Sequence, residues 1–380
     1  MNFDFLRDES WKDIKEIIVF GYGKQGRKIL KTLQKDFKII CIVDNDREKV
    51  RKQENSIPVL HFEETLELLK KYKIIVTVAE FYYKEIKRQL EEIDLIENEN
   101  FIMYQSFIVG WNYKYRQKIY MLKTDVTVTS LCSLKCENCL LFMPYWKKQI
   151  SFDVQSLKDD ADAFFRCVDY VLDMNIVGGE PFLYKDLNEL LSWYGNRYRK
   201  QIGHFGIITN GTIIPGEETM EIIKKYDIVV SISDYSDTLN YKDKVDKLCD
   251  VLEKNGIKYI RNTKIQWFDF GFPKNKYCYR GAEIQRHMKQ CNTICHCLND
   301  KKFYYCATAW AADRAGLYPY GSKGYVNLDE INENDLLDKK RILECSCGEF
   351  DGGFVDLCRV CGGYGNDNGN KIETAIQLQE

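Results

Sequence analysis

The stretch "TVTSLCSLKCENCLLF", residues 127–142, decides how the rest of the chain is read. It places Cys132, Cys136 and Cys139 within eight positions, at x3 and x2 spacing. Thiolates so spaced can hold three corners of an iron–sulfur cube and leave one iron without a protein ligand, whereas an electron carrier supplies a cysteine to every corner. A structural zinc site also takes four ligands, commonly from two C-x2-C pairs. No fourth ligand follows nearby, so the open corner is the informative feature. On the triad alone, zinc or a purely structural cluster stays open.

The stretch sits in an otherwise ordinary globular composition. The chain has 380 residues, 45% hydrophobic and 29% charged, and its length predicts two or three domains. A formal charge of -2 gives no basic face for nucleic acid or anionic lipid. The start, "MNFDFLRDESWKD", has no signal-peptide pattern, and no window reaches the apolar length of a membrane span. The expectation is a cytoplasmic protein with no nucleic-acid partner and no membrane span. Fifteen cysteines in a reducing compartment point to metal binding or catalysis rather than a disulfide framework. Cys41, Cys167 and Cys249 fall in apolar or helical contexts and read as packing residues.

Working outward, the triad follows the strand pattern "TDVTVTS". It is succeeded by the helical "SLKDDADAFFRCVDYV", the strand "LDMNIVGG", the helical "DLNELLSWYGNRYRKQ" and the strand "FGIITNG". The helical "GEETMEIIKKY", the strand "DIVVSIS", the helical "KDKVDKLCDVLEKNG" and the strand "IKYI" complete the series. Strict alternation predicts a parallel α/β sheet whose motif-bearing loops lie at the C-terminal strand ends. A similar alternation from "KEIIVFGYGKQGRKIL" predicts a separate doubly wound, Rossmann-like sheet over residues 1–110. The central unit is placed at 118–266 and a cysteine-rich unit at 267–367. Residues 368–380 read as a polar tail.

With these motifs in order, the chain resembles the radical SAM enzymes from residue 121 to about 265. "CSLKCENC" matches the cluster loop, "NIVGGEPFL" the glycine-glycine-glutamate motif, "IITNGT" the strand that follows, and "VVSISDYS" a later site-forming strand. The resemblance implies a partial (β/α)6 barrel in which Cys132, Cys136 and Cys139 bind a 4Fe–4S cluster. It implies that S-adenosylmethionine occupies the open iron and yields a 5'-deoxyadenosyl radical. Gly178 and Gly179 would allow close backbone approach, and Glu180 would accept from the methionine ammonium. Thr209 and Asn210, at the following strand end, are implied as further cofactor-binding residues. Ser231, Ser233 and Asp234 are candidates for the ribose or carboxylate. The family often has an aromatic residue before the last cysteine. Here it is Asn138, which leaves Phe142 as the candidate for adenine stacking. A flavodoxin or ferredoxin would be the electron donor.

The region behind the barrel carries nine of the fifteen cysteines and is similar to SPASM and twitch extensions, which hold auxiliary 4Fe–4S clusters. By that similarity Cys291, Cys297 and Cys306 form the first half and Cys358 with Cys361 the closing pair. Cys345 and Cys347 are candidate ligands of a second cluster. Lys301 or Lys302 stands where a glycine is usual, and one auxiliary cluster is favoured over two. From spacing alone zinc stays open for the C-x2-C pair. Cys278 and Cys295 read as free thiols, and His296 as structural rather than a ligand.

In the first domain "GYGKQG" supplies Gly21, Gly23 and Gly26 directly after a strand, with Asp44 ending the next. In that context helix-terminal amides can cradle phosphate and the acid can hold a ribose hydroxyl. A tight turn without ligand is the alternative. The flanking sequence resembles the small nucleotide-binding-like domain of polysaccharide-biosynthesis proteins, where a nucleotide-linked sugar is as plausible as NAD. The leading expectation is therefore a radical SAM oxidoreductase or epimerase acting on a sugar or nucleotide sugar in glycan biosynthesis. A SPASM-type maturase acting on a peptide, and a non-catalytic iron–sulfur sensor or scaffold, are the alternatives.

Overall fold

The structure is a computed structural model that describes residues 4–50, 53–54, 56–272, 274–291, 295–364 and 369–379. It divides into two compact units, Met1–Tyr120 and Met121–Glu380. The expected domain end at 367 and tail start at 368 lie outside the described residues.

The first unit is built on strands β1 (Glu16–Phe20), β2 (Lys38–Asp44), β3 (Gln53–Glu54), β4 (Ile57–His61), β5 (Lys73–Val76) and β6 (Phe101–Met103). They form one sheet in the order β3-β4-β2-β1-β5-β6. β4, β2, β1, β5 and β6 run parallel, and β3 pairs antiparallel with β4 at the edge. Helices α1 (Lys24–Leu33), α2 (Leu66–Lys71), α3 (Glu80–Glu91) and α4 (Tyr104–Arg116) connect or follow the strands. Ile18, Phe20, Val43, Ile74, Val76, Leu90 and Phe101 are buried in one core, as expected for parallel strands covered by helices. α4 continues past residue 110, so this unit is longer than the alternation alone indicates.

The second unit contains β7 (Tyr120–Thr127), β8 (Tyr170–Val177), β9 (Ile202–Thr209), β10 (Val229–Ser233) and β11 (Tyr259–Asn262). Their helices are α5 (Val154–Cys167), α6 (Leu187–Arg197), α7 (Glu217–Lys225) and α8 (Lys242–Lys254). After β12 (Trp267–Phe268) come α9 (Ala282–Gln290), β13 (Cys297–Asn299), β14 (Lys302–Tyr304), α10 (Ala307–Arg314), β15 (Tyr325–Asn327), α11 (Leu336–Ser346) and β16 (Lys371–Ile372).

The large sheet has the order β11-β10-β9-β8-β7-β13-β14-β15. The cysteine-rich region thus continues the barrel sheet: β13 lies parallel to β7, and β14 and β15 follow antiparallel. Asp300 and Lys301 both have positive φ, 58° and 52°, and close the two-residue turn between β13 and β14. Such a turn matches the strand twist but favours Asn, Asp or Gly. Asp160 on α5 supports it, because its carboxylate accepts the backbone N–H groups of both Asp300 and Lys301. β12 pairs antiparallel with β16 in a separate two-stranded sheet. Residues 371–378 are therefore incorporated in the fold, unlike the polar tail expected from composition. Among the described residues no helix is long and apolar enough to cross a membrane.

Candidate active site

β7 to β10 end on the same side, and their ends and following loops supply the site. A cavity of about 390 Å3 is bounded there by Cys132, Cys136 and Cys139, by Gly178 and Gly179, and by Thr209, Asn210 and Ser233. All three cysteines are free thiols. Leu134 N–H donates to Cys132 Sγ at 3.4 Å, Asn210 Nδ2 donates to the same sulfur at 3.6 Å, and Gln377 Nε2 donates to Cys136 Sγ at 3.3 Å. Burial pushes the Cys132 thiol up to about 12 and the Cys136 thiol up to about 11. Iron binding must displace these protons.

The glycines serve packing within the site. A Cβ on Gly179 would stand 2.1 Å from the Leu131 carbonyl oxygen, and one on Gly178 2.7 Å from that of Thr129. Gly179 N–H donates to Thr129 O at 2.8 Å and Glu180 N–H to Leu131 O at 2.7 Å. The end of β8 is in this way laced to the cysteine loop.

Glu180 is fully buried and does not border the cavity. Its carboxylate accepts the Thr209 hydroxyl at 2.8 and 2.9 Å, Asn210 N–H at 2.9 Å and Phe182 N–H at 3.2 Å. Burial lifts its pKa to about 7 against these donors. These bonds brace β9 against β8.

Asp234 is likewise committed. It accepts Ser236 N–H at 2.9 Å and pairs with Arg261 at 2.7 Å. Burial raises its pKa, but the Ser236 hydrogen bonds and Arg261 outweigh burial and hold it below the usual carboxylate range. Ser233 borders the cavity, while Ser231, two residues back on the same face, does not. Phe142 is 2% exposed and packs edge-on against Phe272 at 5.4 Å, away from the cavity wall. The aromatic residues at the cavity are Tyr235, Trp267, Phe268, Phe270 and Tyr364.

The sequence reading missed those aromatics and a charged pair on β7. Lys123, Asp125 and Thr127 alternate into the cavity, the period-2 signal of one strand face. Lys123 Nζ lies 3.5 Å from Asp125 Oδ2, and Asn175 Nδ2 donates to Asp125 Oδ1 at 2.9 Å. Burial opposes the Lys123 charge, but Asp125, Cys295 and Asp173 together outweigh it and hold the ammonium protonated; burial also raises the Asp125 pKa, against Lys123 and Asn175. Cys295 borders the cavity beside this pair.

In the cysteine-rich region Cys291, Cys306, Cys358 and Cys361 lie within electrostatic reach of one another. Backbone N–H groups of Tyr364, Ala309 and Gly363 donate to the sulfurs of Cys291, Cys306 and Cys361 at 3.3, 3.4 and 3.4 Å. Cys297 does not join this group. It is buried in β13 with its Sγ 3.0 Å from Asn299 Oδ1, because strand alternation turns it towards Asp125 and Asp300. Cys345 and Cys347 lie within reach of each other as a separate pair. His296 is buried, its Nδ1 is 2.6 Å from Tyr305 O, and burial lowers its pKa to about 4. A neutral ring spent on a carbonyl is a packing group. Cys278 is exposed. Among the described residues, no three His, Cys, Asp or Glu side chains close around a single-ion position.

The first unit has its own cavity of about 390 Å3, bordered by Gly21, Gly23, Lys24, Asp44, Lys49 and Thr77. Gly26 is required by the turn, since a Cβ there would meet Gly21 O at 1.9 Å. Asp44 accepts Tyr22 N–H at 2.7 Å, Asp46 N–H at 2.9 Å and Lys49 Nζ at 3.3 Å. Its carboxylate thus organises the turn before any ligand is considered.

Residues 126–263 match the model of the Radical SAM superfamily. The central segment is a radical SAM domain. That superfamily uses a 4Fe–4S cluster and S-adenosylmethionine, and three free thiols with N–H donors around one cavity fit such a group. Residues 13–101 match the model described as C2185-like, N-terminal. Neither match carries the expected link to polysaccharide biosynthesis.

The chain is 33% identical over 115 residues to the antilisterial bacteriocin subtilosin biosynthesis protein AlbA of Bacillus subtilis (strain 168), covering 30% of this chain and 24% of that protein. It thus spans about a quarter of that relative's length. Among solved structures, Streptococcus suis SuiB bound to S-adenosylmethionine shares 22% identity over 48% of this chain and 44% of that one, with a TM-score of 0.32. BtrN in complex with AdoMet and 2-DOIA shares 15% identity over 68% of this chain and 100% of that one, with a TM-score of 0.37.

Proposed function

We propose that the chain is a radical SAM enzyme that removes a hydrogen atom from a peptide. The carrying observation is the single cavity shared by Cys132, Cys136, Cys139, the strand-end residues and the buried Lys123–Asp125 pair. Cys132, Cys136 and Cys139 would hold the 4Fe–4S cluster, which together with S-adenosylmethionine would supply the hydrogen-abstracting radical chemistry. Gly178, Gly179, Thr209, Asn210 and Ser233 bind the methionine and ribose portions, and Glu180 fixes Thr209 and Asn210 in place. Tyr235 and the β12 aromatics provide the flat faces for adenine and substrate that Phe142 was expected to provide. Lys123 and Asp125 present a buried acid–base pair to the substrate.

A peptide substrate is supported by the likeness to a bacteriocin biosynthesis protein. It is preferred to the sugar expected from the first domain. Cys291, Cys306, Cys358 and Cys361 are proposed to hold an auxiliary 4Fe–4S cluster. Tyr364 both borders the cavity and donates to Cys291. The first-unit cavity remains a candidate nucleotide or nucleotide-sugar site through the open amides of α1, whose cap Gly23 offers no side chain.

The test is anaerobic reconstitution of the whole chain with dithionite and S-adenosylmethionine, reading 5'-deoxyadenosine by chromatography. Peptides encoded by short reading frames beside the gene are compared with nucleotide sugars. Peptide-dependent product with a mass change in the peptide supports the proposal. Stimulation by nucleotide sugars alone overturns the substrate class. An intact cluster that never cleaves S-adenosylmethionine overturns the enzyme reading in favour of a sensor.

A further inference from the structure

Residues 371–378 approach the cysteine loop more closely than any sequence motif announces. The segment is anchored where β16 pairs with β12, Phe268 opposite Lys371 and Trp267 opposite Ile372. The Thr374 and Thr238 hydroxyls then meet at 3.2 Å. Beyond them the backbone runs antiparallel to the loop, with Gln377 opposite Cys136. Glu137 N–H donates to Ile376 O at 2.8 Å, and Leu378 N–H donates to Lys135 O at 2.8 Å.

The Gln377 side chain completes the arrangement. Its Oε1 accepts Lys135 N–H at 2.7 Å. Its Nε2 donates to Ala375 O at 2.7 Å and to Cys136 Sγ at 3.3 Å. The amide orientation follows from its partners, because a backbone N–H can face only the oxygen and a carbonyl only the nitrogen. The amide hydrogen is therefore fixed on the sulfur of Cys136, which is 7% exposed.

We propose that Gln377 is a positioning residue for the cluster: it holds the Cys136 thiolate and raises the reduction potential of the cluster that Cys132, Cys136 and Cys139 bind. This rests on the reading of those cysteines as the cluster loop. A hydrogen bond to a ligating sulfur draws off negative charge, and reduction adds charge to the cluster. The donor therefore favours the reduced state. Residues far along the chain are thus tied to the electron-accepting step, through β12, whose Trp267 and Phe268 border the cavity.

The test is an EPR-monitored redox titration of the whole, anaerobically reconstituted chain, comparing wild type with Gln377→Ala and Gln377→Glu. The signal assigned to the loop is the one missing from the Cys132→Ala, Cys136→Ala, Cys139→Ala variant. Gln377→Glu keeps an oxygen for Lys135 N–H but loses the amide donor, so the backbone pairing survives. Both variants are expected to titrate at more negative potential, Gln377→Glu the further because its carboxylate adds charge. Loss of the loop's iron from both variants, with auxiliary iron retained, supports the same role. Unchanged potentials in both, with the loop's cluster loaded, overturn it. If the triple variant keeps the wild-type iron and signal, the cluster-loop reading fails instead.

Discussion

Glu180 accepts Asn210 N–H at 2.9 Å, and Asn210 in turn donates its side-chain amide to Cys132 Sγ at 3.6 Å. Two strand ends and one cluster-loop thiol are thereby held by a single buried carboxylate. Replacing it by alanine leaves Asn210 N–H and the Thr209 hydroxyl buried without that acceptor, which costs about 2 kcal/mol or more. Glu180→Ala is expected to lower the unfolding temperature of the metal-free chain in calorimetry, before any effect on S-adenosylmethionine binding. An unchanged transition with weakened binding would instead return Glu180 to the cofactor contact expected from its motif.

Gly179 meets the same loop by close approach. Because its Cβ would lie 2.1 Å from a backbone oxygen, no side-chain rotation relieves the contact, and the cysteine loop must move. Gly179→Ala is expected to lose the loop's iron, about four atoms per chain for one cube, while retaining the auxiliary iron. Iron and sulfide analysis after reconstitution reads this directly, and full loading would show that the loop yields without harm.

The auxiliary ligand set separates Cys297 from its neighbours. Cys358→Ala is expected to remove the auxiliary iron and leave the loop's iron in place. Cys297→Ala is expected to keep both, at a stability cost of about 1 kcal/mol for a small buried void. Loss of iron in Cys297→Ala, with the fold intact by circular dichroism, would restore the ligand role expected from its spacing.

Much of this organisation is legible in the sequence because alternation and spacing are local. The parallel sheets follow from strand and helix periods, and the three-cysteine loop follows from its own eight positions. Burial and direction are not local. Phe142 is the right residue type near the cysteines, yet its backbone takes a left-handed conformation at φ 54° and its ring packs on Phe272. Cys297 has suitable spacing, but a strand turns alternate residues to opposite faces. Gln377 lies 241 positions from Cys136 in a segment whose polar composition resembles a tail, and no periodicity marks a pairing formed only after folding. The Lys123–Asp125 pair was visible in "KTDVT" as alternation, but nothing in the sequence shows which strand face meets a cavity.

The turn between β13 and β14 yields the last prediction. Lys301 holds a φ of 52°, which costs a residue with a Cβ about 1 kcal/mol, so Lys301→Gly is expected to stabilise the second unit by about that amount. Asp160 supports the turn, and its carboxyl is lifted from the usual 3.8 to about 7, chiefly by burial, with Asp300 adding to the rise and the Lys301 N–H opposing it. A pKa higher in the folded than in the unfolded chain means that folding binds a proton more tightly between about pH 4 and pH 7. This group's stabilisation is therefore complete below about pH 4 and is lost as pH rises through about 7. Asp160→Asn cannot titrate. The unfolding midpoint of the wild type relative to Asp160→Asn is expected to fall steadily from pH 4.5 to 7.5, as a pH series of calorimetric scans would show. A difference that stays flat across that range would mean that the two backbone N–H donors keep Asp160 charged despite its burial.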